Sequence, residues 1–189
     1  MEKFEPHNIV IIENLLDKLD CIKLIDFIDS LEGQSLSINN GNNVECFIWN
    51  LDELVNDINY KSTVEDWITF LFQKFDYAMS SIQKEYNFLK YDTDSGFHLR
   101  KIFGRTNCHV DSISTPQKGY GRCLSVIVAL NDDFDGGEFF FKNHNVSKKL
   151  KQGSLIAFPP YWTHPHEVSS VGKGQFRYTV STWMLEKID

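Results

Sequence analysis

His109-Val110-Asp111 offers an imidazole and a carboxylate two positions apart. Side chains at i and i+2 of a β-strand point to the same face. His109 and Asp111 could therefore reach one cation together while Cys108 and Val110 turn away. A three-residue pattern is weak alone. It gains weight from a second segment, Phe158-Pro-Pro-Tyr-Trp-Thr-His164-Pro-His166-Glu-Val168, and from Arg177 beyond it.

The chemistry of that donor set is specific. Two imidazoles and one carboxylate on one face of an octahedron are the protein ligands used for non-haem Fe(II) and O2 chemistry. Three positions stay open, two for a chelating co-substrate and one for O2. The second imidazole must come from a distant strand folded back over the first. His166 heads a β-branched segment, and His164 competes with it from two residues away. Arg177 follows the turn Gly172-Lys-Gly174, so its strand is expected to run antiparallel beside that of His166. Its guanidinium is a planar fork suited to a carboxylate. Thr179, at i+2 on the same face, could add a hydroxyl. Zinc also accepts two histidines and a carboxylate, which leaves a metal-binding jelly roll without oxidation, or a hydrolase, as alternatives.

The elements that must carry these groups are legible from periodicity. A short strand is expected at Asn8–Asn14, then an amphipathic helix from Leu15 or Leu16 to Leu31 through Leu19, Ile22, Leu24, Ile25 and Ile28. Residues 32–43 are polar and expected to be a mobile loop, positioned to act as a lid. Thr63 is a candidate cap for a helix reaching about Tyr86, with Val64, Trp67, Ile68, Leu71, Phe72, Phe75 and Met79 on its buried side. From Gly96 onward the segments become short and β-rich: 97–103, 109–112, 124–130, 138–142, 154–158, 167–171 and 177–184. Asn131-Asp-Asp-Phe-Asp-Gly-Gly137 is the strongest turn signal between them. The expected class is α+β, mainly β, with a double-sheet jelly-roll core and N-terminal helices packed on one sheet.

Bulk properties narrow the partners. A chain of 189 residues fits a single domain, with 1–95 as a helical support and 96–185 as the core bearing the site. A net charge of −7 argues against nucleic acid and anionic lipid as partners. No apolar run approaches the roughly 20 residues of a membrane span, and the first residues lack an apolar leader. The four cysteines form no C-x-x-C pair and read as reduced thiols of a cytoplasmic protein, with Cys108 and Cys123 as core fillers. Asp132, Asp133, Asp135 and Glu138 lack EF-hand spacing and read as a solvated turn, its unusual φ values supplied by Gly136 and Gly137. His7, His98 and His144 read as surface or core histidines.

Four ordered blocks carry a resemblance. They are Leu99-Arg-Lys-Ile-Phe-Gly-Arg-Thr-x-x-His109-x-Asp111, Leu130-Asn-Asp-Asp-Phe-x-Gly-Gly-Glu138-Phe, Gly153-Ser-Leu-Ile-Ala-Phe-Pro159, and Pro165-His166-Glu-Val-x-x-Val171-x-x-Gly-x-x-Arg177-Tyr-x-x-x-x-Trp183. Over roughly residues 96–185 the chain resembles the 2-oxoglutarate/Fe(II)-dependent dioxygenases, most of all their prolyl-4-hydroxylase-like branch. The resemblance implies a double-stranded β-helix with His109, Asp111 and His166 as iron ligands and catalytic centre. It implies Arg177 as the anchor of 2-oxoglutarate, with Thr179 assisting. The implied cofactors are Fe(II), 2-oxoglutarate and O2, with ascorbate as a further candidate. The implied reaction hydroxylates an unactivated C–H bond, first of all in a peptidyl proline, and releases succinate and CO2. A peptide or small molecule would be the substrate. The step from His166 to Arg177 is one residue longer than this branch usually shows, and no tyrosine is identifiable on an earlier strand as a second contact for the co-substrate.

Overall fold

Alternation of apolar and polar side chains dominates the second half of the chain, and there the backbone is largely extended. The computed structural model describes residues 2–31, 46–112 and 119–188; the polar stretch 32–43, expected as a loop and lid, lies outside them. In chain order the elements are β1 (Glu2–Glu5), β2 (Ile9–Ile12), α1 (Lys18–Ser30), β3 (Cys46–Asn50), α2 (Leu51–Leu54), α3 (Lys61–Glu85), β4 (Thr93–Asp94), β5 (His98–Ile102), β6 (Thr106–His109), β7 (Tyr120–Ala129), β8 (Phe139–Phe141), β9 (Val146–Lys148), β10 (Leu155–Phe158), β11 (His166–Val168) and β12 (Arg177–Lys187).

Among the described residues these strands make two antiparallel sheets. The larger runs β1-β2-β10-β7-β12-β5-β3 with β4 beside β12, and the smaller runs β6-β11-β8-β9. Ile9, Ala129, Ile156 and Phe158 of the larger sheet meet Phe139, Phe141 and Val168 of the smaller in one buried cluster. The sheets therefore stack face to face as a jelly roll. The opposite face of the larger sheet carries the alternate residues Leu124, Val126 and Val128 of β7 and Tyr178 and Val180 of β12. These bury α1 and α3 through Leu24, Ile28, Leu71, Phe75 and Met79. The strand period of two thus assigns one set of side chains to the helices and the other to the space between the sheets. The class is mainly β with the helices on one sheet, as the sequence led us to expect.

Local details differ from the sequence pattern for physical reasons. In α1 the buried stripe is Cys21, Leu24, Phe27 and Ile28, whereas Leu19 and Ile22 are 58% and 40% exposed. Each residue of an α-helix turns about 100°, so positions one or two removed from Cys21 leave the face pressed on the sheet. Asp17 caps α1 by accepting from the Asp20 amide at 2.8 Å. Thr63 is not the cap of α3. The helix begins at Lys61, because Tyr60 and Lys61 already donate their amides to the Asp57 carbonyl. Phe72 is solvent-exposed on α3, and Cys108 is an exposed thiol rather than a core filler. Lys148 ends β9 at the edge of the smaller sheet, a position where charge discourages further strand pairing.

Gly153 clasps the two halves of the chain. Its carbonyl accepts from the Leu16 amide at 3.1 Å and its amide donates to Ala129 at 2.8 Å. Its φ is +75°, and a Cβ there would lie 2.2 Å from the Leu16 carbonyl oxygen. A left-handed backbone with no room for a methyl requires glycine. Gly153→Ala is expected to lower stability by about 1–3 kcal/mol, read as a lower urea midpoint at unchanged slope; an unchanged midpoint would show that the clasp yields freely.

Candidate metal centre

The smaller sheet sets two imidazoles side by side. β6 ends at His109, β11 begins at His166, and the two residues are direct backbone partners. Their rings lie 4.4 Å apart, centroid to centroid. Asp111 arrives differently from the expected i, i+2 strand placement. The strand stops at His109, and Asp111 lies in the segment that leaves it. Contacts from outside β6 hold it instead: Ser125 Oγ on β7 donates to Asp111 Oδ2 at 2.6 Å, and Arg122 donates to its carbonyl at 2.8 Å. The Asp111 carboxylate thus bridges the mouth of the two sheets.

The ligand atoms of His109, Asp111 and His166 all lie within 4.8 Å of one another. His109 Nε2 is 3.2 Å from Asp111 Oδ1, and His166 Nε2 is 4.0 Å from Asp111 Oδ2. Ligands held about 2.1 Å from one metal at right angles sit roughly 3 Å apart, so this set could hold an ion after small side-chain adjustments. Backbone carbonyls choose the tautomers. His109 Nδ1 donates to the Asn107 carbonyl at 2.8 Å, and His166 Nδ1 donates to the His164 carbonyl at 3.1 Å. A carbonyl oxygen only accepts, so each Nδ1 carries a proton and Nε2 is the nitrogen each ring turns to the cluster.

Electrostatics favour the ligand form at Asp111 and His166 and oppose it at His109. Burial alone pushes the Asp111 carboxyl up, but the His109 hydrogen bond, the charge of His166 and the Ser125 hydroxyl hold it far below the usual carboxylate range. Burial depresses His166 more than its attraction to Asp111 raises it. For His109 burial also depresses, yet the hydrogen bond and charge of Asp111 outweigh it, and the net shift is upward. Phe158 and Phe141 wall in His166, at 4.6 and 5.8 Å between ring centroids.

His164 is turned away from the cluster, its Nε2 donating to the His7 carbonyl at 2.6 Å and its Nδ1 meeting the Thr163 hydroxyl. It is 4% exposed and so belongs neither to the pocket rim nor to the surface. His144 instead stacks on His7 at 4.3 Å between centroids and lies tilted against His164 at 4.5 Å.

Arg177 is not on a strand beside His166. β12 pairs with β7, β5 and β4 of the larger sheet, while β11 pairs with β6 and β8 of the smaller. The guanidinium therefore reaches the cleft from the facing sheet, over the Phe139 ring at 5.4 Å. Arg177 and Thr179 line the same cleft as His109, Asp111 and His166. Arg177 is 6% exposed, and its Nε is buried without a hydrogen-bond partner. Burial and the neighbouring Arg100 pull its pKa down to about 10. A buried guanidinium lacking an acceptor fits an anionic ligand, so the residues present suit a dicarboxylate co-substrate as well as a metal. No tyrosine lines the cleft among the described residues. Arg100, Ser125 and Trp183 escaped the sequence pattern. Only strand alternation could have found them, since Arg100 and Ile102 share a face, as do Trp183, Thr179 and Arg177.

The family model described as 2OG-Fe(II) oxygenase superfamily matches residues 97–185, and over that stretch the chain is similar to that superfamily. Its fold within that class is the prolyl-hydroxylase one. It superposes on the viral collagen prolyl hydroxylase of Paramecium Bursaria Chlorella virus-1, solved with 2OG, at TM-score 0.64 and 18% identity over 97% of each chain. A Trichoplax adhaerens prolyl hydroxylase, solved with a peptide fragment of the hypoxia inducible factor oxygen degradation domain, gives TM-score 0.70 and 18% identity over 96% of this chain and 84% of that one. In sequence, mouse (Mus musculus) prolyl 3-hydroxylase 2 is 42% identical over 67 residues, 33% of this chain, and the match spans only 9% of that protein's length. No helix among the described residues is long and apolar enough to cross a membrane.

A metal held by this cluster would have to displace the proton that Asp111 favours on His109. Because that pKa is raised, competition begins at a higher pH than for a free imidazole. Affinity for a divalent metal, titrated from pH 8 to pH 5.5, is expected to hold and then fall about tenfold per unit as His109 becomes protonated. The metal-free protein behaves oppositely at this residue, since a raised imidazole pKa adds stability below about pH 6.5 that is lost as pH rises through the folded value. A flat affinity profile would remove His109 from the ligand set.

Proposed function

We propose that this chain is an Fe(II)- and 2-oxoglutarate-dependent dioxygenase that hydroxylates an unactivated C–H bond. His109, Asp111 and His166 hold the metal, and Arg177, assisted by Thr179, grips the far carboxylate of 2-oxoglutarate. The observation that carries this reading is the pairing of a three-donor cluster with a buried guanidinium that lacks an acceptor, both lining one cleft. A simple metal-binding sandwich, or a zinc hydrolase with the same ligands, has no need of that guanidinium.

Each residue has a defined task. The Asn107 and His164 carbonyls aim the imidazoles, and Ser125 fixes the carboxylate rotamer. Phe139, Phe141 and Phe158 exclude water around His166 and Arg177, which strengthens every electrostatic contact inside. Fe(II) and 2-oxoglutarate supply the oxidising chemistry with O2, one oxygen atom entering the substrate and the other ending in succinate as CO2 leaves. Peptidyl proline is the first substrate class, supported by the peptide-bound Trichoplax relative. A cytoplasmic setting and ascorbate as an auxiliary reductant belong to the same proposal.

An oxygen-free titration of the Fe(II)-loaded protein with 2-oxoglutarate is expected to develop a weak visible charge-transfer band. Arg177→Gln should weaken 2-oxoglutarate binding about 10- to 150-fold, the range for losing a charged hydrogen bond worth about 1.5–3 kcal/mol, with metal affinity within about twofold. Absence of the band in the unmodified protein, or equal 2-oxoglutarate binding in the variant, would end this reading.

A further inference from the structure

The cleft holds a second guanidinium, from half-buried Arg100 on β5. Its strand lies next to β12 with Arg100 opposite Thr179, so its side chain shares the cleft with that of Arg177. Its Nε is buried and without a hydrogen-bond partner. None of the ion pairs among the described residues includes Arg100 or Arg177. The contact the structure gives the Arg100 guanidinium is the Trp183 ring, 5.6 Å away. Asp111 is near enough to act on its charge, and Arg177 lies near enough for the two cations to oppose one another.

Charge counting then goes beyond the proposed reaction. The cleft walls among the described residues carry Arg100, Arg177 and a lone carboxylate, Asp111; both cluster histidines are neutral in the ligand form. Arg122 adds a further cation at the mouth, stacked 3.6 Å over Trp183 with one N–H on the Asp111 carbonyl. A divalent metal and dianionic 2-oxoglutarate cancel each other. Asp111 answers one arginine, and one buried positive charge is left over even before Arg122 is counted. A buried charge without a partner is costly and calls for a counter-ion. The same donors that satisfy a carboxylate on Arg177 are available on Arg100, on the strand flanking β12.

We infer that Arg100 is a substrate-specificity residue, and that the molecule to be hydroxylated carries a carboxylate beside the oxidised C–H bond, seated on Arg100. This inference rests on the dioxygenase reading and narrows its substrate class. A proline with a free α-carboxylate fits, as does an acidic side chain within a peptide; a neutral, fully capped segment does not. Trp183, between Arg100 and Arg122, supplies the apolar wall for the rest of such a substrate.

The test uses the full chain loaded with Fe(II) and 2-oxoglutarate without oxygen, and reads perturbation of the charge-transfer band. The probes are matched acid and amide pairs: N-acetyl-L-proline against N-acetyl-L-prolinamide, and N-acetyl-L-aspartic acid α-amide against N-acetyl-L-asparagine amide. In the unmodified protein the acid of at least one pair should bind ten times more tightly than its amide. Arg100→Gln should erase that preference while leaving 2-oxoglutarate affinity within threefold, and Arg100→Lys should keep part of it. The metal-free Arg100→Gln protein should also melt at a higher temperature, because an unanswered buried charge has gone. Equal binding of acid and amide in both pairs overturns the inference. So does a tenfold loss of 2-oxoglutarate affinity in Arg100→Gln, which would make Arg100 a second co-substrate anchor, and so does a lowered melting temperature, which would make it structural. If no band forms at all, the failure belongs to the dioxygenase reading instead.

Discussion

The backbone pairing of His109 with His166 is the constraint on which the site depends. It joins the end of one short strand to the start of another at the edge of a four-stranded sheet, and it brings the two rings within van der Waals reach. Without it the His166 imidazole would not be held beside His109 and Asp111. The rest of the smaller sheet acts as backing: β8 pairs with β11 on its other side, and Phe141 sits behind His166 as one of the largest fully buried side chains. A packed aromatic cluster does not compress easily, so the ring positions follow from the core rather than from the loops that lead to them.

The carboxylate depends on the other sheet. Ser125 projects between the sheets from β7, and its short hydrogen bond to Asp111 ties the two layers together at the cleft. The imidazoles of His109 and His166 on one sheet and the guanidiniums of Arg100 and Arg177 on the other face each other across the gap, the arrangement the proposed binding of a dianion uses. Hinged strands could not keep that spacing. The helices on the outer face hold the larger sheet from behind, burying Val180 and Val128 in the same strands that present Thr179 and Ala129 to the inside.

Electrostatics separate the inside of this protein from its outside. The chain as a whole carries a net charge of −7, yet the cleft concentrates arginines around a lone carboxylate among the described residues. Charge of that sign inside an acidic envelope is the arrangement the proposed anionic ligands require, met by local contact rather than by long-range attraction. Exposed acids lie on the helices, as Asp26, Asp66 and Asp76 do, and in the turn Asp132–Asp135, where positive-φ Gly136 and Gly137 reverse the chain.

Much of this was legible from the residues in order. Donor types, spacing and turn glycines announce a cluster of two histidines and an aspartate with an arginine nearby, and the strand-rich second half announces a two-sheet core, because ligand chemistry and strand period are local properties. Three matters were settled only by the tertiary structure. His166 rather than His164 joins the cluster, because a distant carbonyl, that of His7, captures His164. Arg177 faces the metal donors from the opposite sheet, because β12 continues past the turn into the larger sheet instead of folding back on β11. Arg100 enters the cleft at all because β5 lies beside β12, a neighbour remote in sequence. Each is a question of which strand lies against which, and that is decided by burying whole faces of two sheets at once rather than by any short run of residues.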